Sequence, residues 1–493
     1  MDWRSKMGKF RASLLAASLV LGMGLWQGLA VQPVQAATQE GAIGTPARPE
    51  NIVSDEVLVR YSAGWPDRAV RANFAGHHGL IERRADADTS WFRYKITDGQ
   101  TPDAKMADLR RQPEVADVAP NIKVQLQWTP SGDELYPQQW ALPKISMPAA
   151  WDAARGGLSF PNFIATIDSG APKDANGSGG PELGSFKING TWYGHNSVGE
   201  GTTPLPAGYD PLDFGDCFGH GTFVASVAAA TANNGGMAGI AFNTGVMPVR
   251  FTNCFGSGTS DDAAAAINWA LNTHHVVAIN CSFKMEGTDA QLPSLKAAVD
   301  RAWSLNVSVV AAAGNDGTSD FSDIAPARWY HAIAVGATGP DDKRGLTPAG
   351  AVKECHLNQY GYGVICTTYP PGYSFSNYGA PGLDVSAPGV NILGVMLPDN
   401  LMGATAIFTN TKLGTSYFEG TGTSAAAPIV AGTISLMLQK HPGLTALQIK
   451  QALWATADKV GGYSYSWATS PCAQSAELGC GRLNAAKAVN YWK

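Results

Sequence analysis

Between residues 163 and 313, apolar runs of six or seven residues alternate with helix-forming stretches, and this alternation limits what the chain can fold into. Residues 163–168, 246–251, 276–282 and 307–313 read as strands, and 219–231, 260–272 and 290–305 as helices. The strand runs are mostly apolar and show no regular alternation with polar residues. Both faces of such strands are covered, which is the property of a parallel sheet with helices on each side. The expected class is therefore α/β, a doubly wound and mostly parallel sheet. Reactive residues in such sheets collect at the carboxyl ends of strands. Asp168, Ser282 and the pair Gly314-Asn315 all fall there.

Charge separates the chain into parts. Residues 37–128 carry 12 Lys/Arg and 13 Asp/Glu in 92 positions, whereas 129–493 carry 19 and 26 in 365. The charged part has strand patterns at 56–61, 90–97 and 115–127. It has helical stretches at 67–79 and 101–112, the second opened by a capping signal. It reads as a separate small α+β domain. Ahead of it, Arg4, Lys6, Lys9 and Arg11 precede an apolar run from Leu14 to about Val31, and Val34-Gln35-Ala36 offers small residues for cleavage. Residues 1–36 are thus expected to be a signal peptide. The run is short and broken by Gly and Gln27, and no later run is long and apolar enough to span a bilayer, so no membrane anchor is expected. Net charge is −5 with no basic cluster beyond the N-terminus, which argues against nucleic acid as a partner.

The seven cysteines suit an oxidising compartment. Cys472 and Cys480, and Cys355 and Cys366, are close in sequence within loop-like segments, leaving Cys217 with Cys254 as a third pair. Cys281 ends an apolar run and reads as a buried free thiol. No CxxC motif and no HExxH helix occur, which disfavours redox and zinc chemistry.

Four strings carry chemistry: Ile167-Asp168-Ser169-Gly170, Gly219-His220-Gly221-Thr222, Ala313-Gly314-Asn315, and Gly422-Thr423-Ser424-Ala425-Ala426-Ala427-Pro428. A histidine near neutrality can serve as a base, a buried carboxylate can orient it, and a serine at a helix start faces backbone N–H donors. The order Asp, His, amide, Ser resembles the subtilase family of serine endopeptidases. The likeness extends, with gaps, from about residue 50 to 493. The stretch 133–151 resembles the mature start of thermitase-like members, and 479–489 a closing segment. Two departures stand out: Ala425 where the family commonly has Met, and Phe223 where it usually has His. Helix 425–439 is expected, with Pro428 in its first turn.

The resemblance implies a subtilisin-like catalytic domain over 129–493, preceded by an inhibitory, template-like prosegment over 37–128 that leaves by self-cleavage near 126–132. It implies Ser424 as nucleophile, His220 as general base, Asp168 as its orienting carboxylate and Asn315 as oxyanion donor. Ser282, Phe283, Lys284, Gly314 and Asp316 would line the substrate site, Lys284 standing where a glycine is usual and adding positive charge, with Asp316, just after Asn315, placed to offset it. Structural calcium, with Asp133, Asp174, Asn233 and Asn234 near the matching places, would follow. Partners would be protein or peptide substrates and the prosegment itself, the protein acting as a secreted, extracellular or periplasmic monomer. A selective processing protease and a broad degrader fit the sequence alike. The intact Asp, His, Asn and Ser argue against a catalytically silent binding protein, and His220 against a Ser-Glu-Asp relative.

Overall fold

The computed structural model describes residues 52–492 except 63–66, 87–90, 123–129, 131, 156–161, 201–207, 274, 349–351, 358–363, 369, 380–381, 398–405 and 470–471. The expected leader and most of the expected cleavage region lie outside the described residues. The chain divides into two compact units, residues 1–125 and 126–493.

The first unit runs β1 (Ile52–Tyr61), α1 (Arg68–His77), β2 (Leu80–Asp86), β3 (Trp91–Ile96), α2 (Pro102–Leu109) and β4 (Val115–Ile122). Its sheet is antiparallel in the order β2-β3-β1-β4. Alternation along β3 buries Phe92, Tyr94 and Ile96 and leaves the residues between them part-exposed. Asp67 caps α1 by accepting the Val70 N–H, and Thr101 caps α2 by accepting that of Ala104. Sequence patterning missed β2. Its Glu82-Arg83-Arg84 stretch looks like a loop, yet Glu82 pairs with the buried Arg71 guanidinium at 2.8 Å, so the charges serve the packing of α1 on the sheet.

The second unit is built on a seven-stranded parallel sheet. In chain order its main elements are β5 (Phe163–Asp168), β6 (His195–Asn196), α3 (His220–Ala229), β7 (Gly245–Arg250), α4 (Ser260–Asn272), β8 (Val276–Cys281), α5 (Pro293–Ser304), β9 (Ser308–Ala312), β10 (Ala332–Thr338), β11 (Val385–Pro388) and α6 (Thr423–Lys440). The spatial order is β11-β10-β9-β8-β5-β7-β6. From β5 the chain moves one way to β7, then crosses back to β8 and continues the other way. This reversal opens a crevice at the carboxyl ends of β5 and β8.

Two cores cover the sheet. Ile164 of β5 points into one, with α3 and α6, while Phe163, Ala165 and Ile167 point into the other, with α4 and α5. That is why the run shows no polar alternation. Two elements start differently from the sequence reading. Pro293 sets the start of α5, three residues later than expected. Helix α6 begins at Thr423, two residues early, which moves Pro428 out of the first turn and into the helix interior.

Candidate active site

Register alone brings the strand ends together. Thr166 of β5 lies opposite Asn280 of β8, so Asp168 and Ser282, each two residues further on, end side by side. Cys281 lies opposite Ala311 of β9, and Gly314-Asn315 follow that strand.

His220 is the first residue of α3, and its Nδ1 lies 2.8 Å from Asp168 Oδ1. The same carboxylate oxygen accepts the Ser169 N–H at 2.8 Å. Asp168 is 4% exposed, so its charge meets the imidazole with little screening by water. Burial works against the charged imidazole. Asp168 opposes this by charge and hydrogen bond, Asp216 adds to it, and the His220 pKa ends above its ordinary value.

Sequence reasoning missed Asp216. Its Oδ1 accepts the N–H groups of Phe218 and Gly219 and the Ser169 hydroxyl, and its Oδ2 accepts the Thr222 N–H and hydroxyl. One carboxylate thus holds the start of α3, and with it the position of His220. The signal was present: an Asp four residues before the helix start, where N-terminal donors need acceptors. Gly221 is required because a Cβ there would meet Gly170 O at 2.3 Å. The Cys217–Cys254 disulfide forms as expected and joins this loop to the one after β7. Cys472–Cys480 is also formed, and Cys281 is a buried free thiol. Cys355 and Cys366 face each other in backbone register; their side chains lie outside the described residues.

Ser424 is the second residue of α6, where backbone N–H groups have no intrahelical partner. Pro428 lacks the N–H that would otherwise reach the Ser424 carbonyl four residues back. The Ser282 hydroxyl donates to that carbonyl instead, at 2.9 Å. In return Ser424 Oγ donates to Ser282 O at 3.0 Å. The misplaced proline therefore has a use: it releases a carbonyl that ties α6 to the end of β8. In this arrangement the Ser424 hydroxyl rests on Ser282.

Asn315 Oδ1 accepts the Thr423 N–H at 2.8 Å and the Thr423 hydroxyl at 2.9 Å. With its oxygen so engaged, the amide has its NH2 as its donor group. The loop carrying it hangs on Asn377, a second residue that patterning missed. Asn377 is fully buried, accepts the N–H groups of Asp316 and Thr318, and donates to Ala313 O at 2.9 Å. It belongs to no periodic segment, so no sequence signal marked it. Gly314 takes φ +101°, and a Cβ there would meet Asn377 Nδ2 at 2.4 Å. Phe283 packs on Phe251, with ring centroids 4.7 Å apart. Lys284 reaches both oxygens of Asp316, the residue read as an offset to its charge, and also Glu286 Oε1, which the sequence reading did not include. Burial disfavours its ammonium, but these carboxylates prevail and raise its pKa.

The residues suggested for calcium behave differently. Asp133, Asn233 and Asn234 do meet, but Asp174 caps its own turn by accepting the N–H groups of Asn176 and Ser178. Asp133 accepts the N–H groups of Asn233, Asn234 and Gly235. Asn233 Oδ1 accepts the Gly132 N–H, and Asn234 Oδ1 that of Gly236. Calcium requires six to eight converging oxygens. Here backbone N–H donors already hold those oxygens, and among the described residues no three His, Cys, Asp or Glu converge. This set does not fit the ion; it staples the 232–236 loop to the start of the unit. Asp133→Ala is accordingly expected to destabilise by about 1–3 kcal/mol. The shift in melting temperature between calcium and chelator should be the same as in the unsubstituted protein. A calcium-dependent gain that vanishes in Asp133→Ala would reverse this assignment.

Comparison with known proteins agrees with this architecture. The profile of the Subtilase family matches residues 204–475. A thermophilic serine proteinase of Bacillus sp. (strain AK1) is 30% identical over 495 residues, spanning 98% of this chain and all of that one. Thermitase of Thermoactinomyces vulgaris is 31% identical over 365 residues, spanning 74% of this chain and all of its own. Among solved structures, fervidolysin from Fervidobacterium pennivorans shares the fold with a TM-score of 0.51, 23% identity, and coverage of 90% of this chain and 62% of that one. The chain belongs to the subtilase family and is a subtilisin-like serine endopeptidase.

Proposed function

We propose that the protein is a secreted, self-processing endopeptidase in which Asp168, His220 and Ser424 act as a triad and Asn315 as oxyanion donor. The observation that carries this reading is the 2.8 Å contact between His220 Nδ1 and buried Asp168. It assigns the proton to Nδ1 and leaves Nε2 as the base.

The chemistry follows from that tautomer. On substrate binding the Ser424 hydroxyl turns from Ser282 O to His220 Nε2, which takes its proton as Oγ attacks the carbonyl carbon. The developing alkoxide is met by the Asn315 NH2 and the Ser424 N–H at the α6 start. His220 then protonates the departing amine, leaving an acyl-enzyme. Water, deprotonated by the same imidazole, releases the acid and restores Ser424.

This assignment has a pH signature. Protonated His220 cannot act as a base, so kcat/KM is full above its pKa and falls as pH drops through it. Because that pKa is raised, the acid limb is expected to have its midpoint above about pH 6.5. Asp168→Asn removes the leading raising partner, so its residual activity should have a midpoint at lower pH. An unmoved midpoint would mean that another group titrates.

Secretion is supported by the basic and apolar start of the chain and by the Cys217–Cys254 and Cys472–Cys480 disulfides among the described residues. No helix among the described residues is long and apolar enough to cross a membrane. The N-terminal unit is assigned as an inhibitory prosegment removed near residues 126–132. Expression of the full chain should yield a precursor that shortens with time and a product labelled on Ser424 by a serine-directed phosphonate. Ser424→Ala should accumulate uncut precursor. Efficient processing of purified Ser424→Ala would rule out self-cleavage.

A further inference from the structure

Lys284 joins two segments that flank the Ser424 hydroxyl. It lies two residues beyond Ser282, which bonds Ser424, while Asp316 lies one residue beyond Asn315. Its ammonium is 2.8 and 2.9 Å from the two Asp316 oxygens and 2.9 Å from Glu286 Oε1. One cation thus faces two anions, and the group is left net negative.

The three side chains are held unequally. Glu286 sits in a two-residue ladder, with Met285 opposite Ala325 and Glu286 opposite Ile324. The Asp316 N–H donates to Asn377 Oδ1 at 3.0 Å, its Oδ2 accepts from Asn377 Nδ2 at 3.2 Å, and its carbonyl accepts the Tyr373 hydroxyl. Lys284 reaches the group on a flexible four-carbon stem, through Nζ alone. The Asp316 carboxylate is therefore fixed, Glu286 is anchored at its backbone, and the ammonium is exchangeable. Side-chain exposures of 36% for Lys284, 38% for Asp316 and 62% for Glu286 place the pairs in water, where ion pairs add little stability and are readily replaced.

We infer that Lys284 is a displaceable strap across the substrate groove, and that an Arg or Lys side chain of the substrate takes its place on Asp316 and Glu286. The inference rests on the assignment of Ser424 and Asn315 above. With the acyl carbon on Ser424 and its oxygen at Asn315, the side chain beside the attacked carbonyl starts two bonds away, on the neighbouring Cα. A long side chain from there reaches the space between 282–284 and 314–316. A guanidinium fork suits a fixed carboxylate with a second one beside it. An acidic side chain meets net negative charge and finds Lys284 already engaged. The specificity is thus for cleavage after basic residues.

The test uses peptides that differ only at the residue before the cut bond: Arg against uncharged citrulline, Lys against norleucine, and Glu. The processed enzyme should favour Arg over citrulline about fivefold in kcat/KM, and the advantage should shrink as salt is added. Lys284→Ala removes the competing cation and should raise the Arg:citrulline ratio a further three- to tenfold. Asp316→Asn combined with Glu286→Gln should bring the ratio to about one. Equal rates for Arg and citrulline in both the unsubstituted enzyme and Lys284→Ala would overturn the proposal, as would a Lys284→Ala loss that is uniform across substrates. Phosphonate labelling of Ser424 is the control. A preparation that labels but shows no charge preference refutes the strap alone, whereas one that neither labels nor cleaves refutes the triad beneath it.

Discussion

His220→Ala is expected to lower kcat by about 10⁴–10⁶-fold, and Ser424→Ala by a similar factor. The physical reason is that neither residue acts alone. The Ser424 hydroxyl is a poor nucleophile unless a base takes its proton, and the base has nothing to activate without it. Asp168 contributes through the imidazole it orients, so Asp168→Asn should cost less than either. Combining all three substitutions should add little to the larger single loss. The measurement is kcat on one peptide substrate, with each variant produced free of the unsubstituted enzyme. His220→Ala turnover within tenfold of the parent would remove it from the proposed mechanism.

The second large effect concerns Asn315. Asn315→Ala should reduce kcat by about 10²–10³-fold with a smaller change in KM, because the donor acts on charge that develops only as the carbonyl is attacked. Alanine also deprives the Thr423 N–H and hydroxyl of their acceptor. Asn315→Asp separates the two effects: the carboxylate keeps an acceptor for Thr423 but has no N–H to offer. It should lose at least as much activity as alanine while melting close to the parent. If Asn315→Asp retained turnover within tenfold, the amide NH2 would have no part in catalysis. If it melted well below the parent, Asn315 would be a structural anchor first.

The class of the fold was legible because both cores of a parallel sheet draw on single continuous strands. Phe163, Ile164, Ala165 and Ile167 are all apolar, since neighbours point to opposite sides and both sides are buried. Where burial is one-sided or charges take part in packing, the signal fails. Glu82 in β2 is such a case, pairing with a buried guanidinium from α1. The start of α6 shows a different failure. Proline within a helix is normally placed in the first turn, because its lost hydrogen bond costs nothing there. Here Ser282, 142 residues away in sequence, supplies the missing donor to the Ser424 carbonyl. Local rules cannot see that partner.

The same division runs through the site. Residue type, order and the family resemblance marked Asp168, His220, Asn315 and Ser424 as candidates, because few side chains can serve as nucleophile, base or amide donor, and each stands at a strand end or helix start. The residues that hold them were passed over: Asp216 on five donors at the α3 start, whose only mark was its place ahead of a helix, and Asn377 inside the loop of Asn315, which had none. Their types are common in turns, and only the several donors each one gathers distinguish them. Charge was decided last. The sequence by itself determined that Lys284, Asp316 and Glu286 exist near the motifs, and that Asp133, Asn233 and Asn234 carry oxygens. Only the tertiary structure decided that Glu286 joins Asp316 on the lysine and that backbone N–H donors hold those oxygens, because a hydrogen bond or ion pair depends on distances of about 3 Å that chain order does not specify.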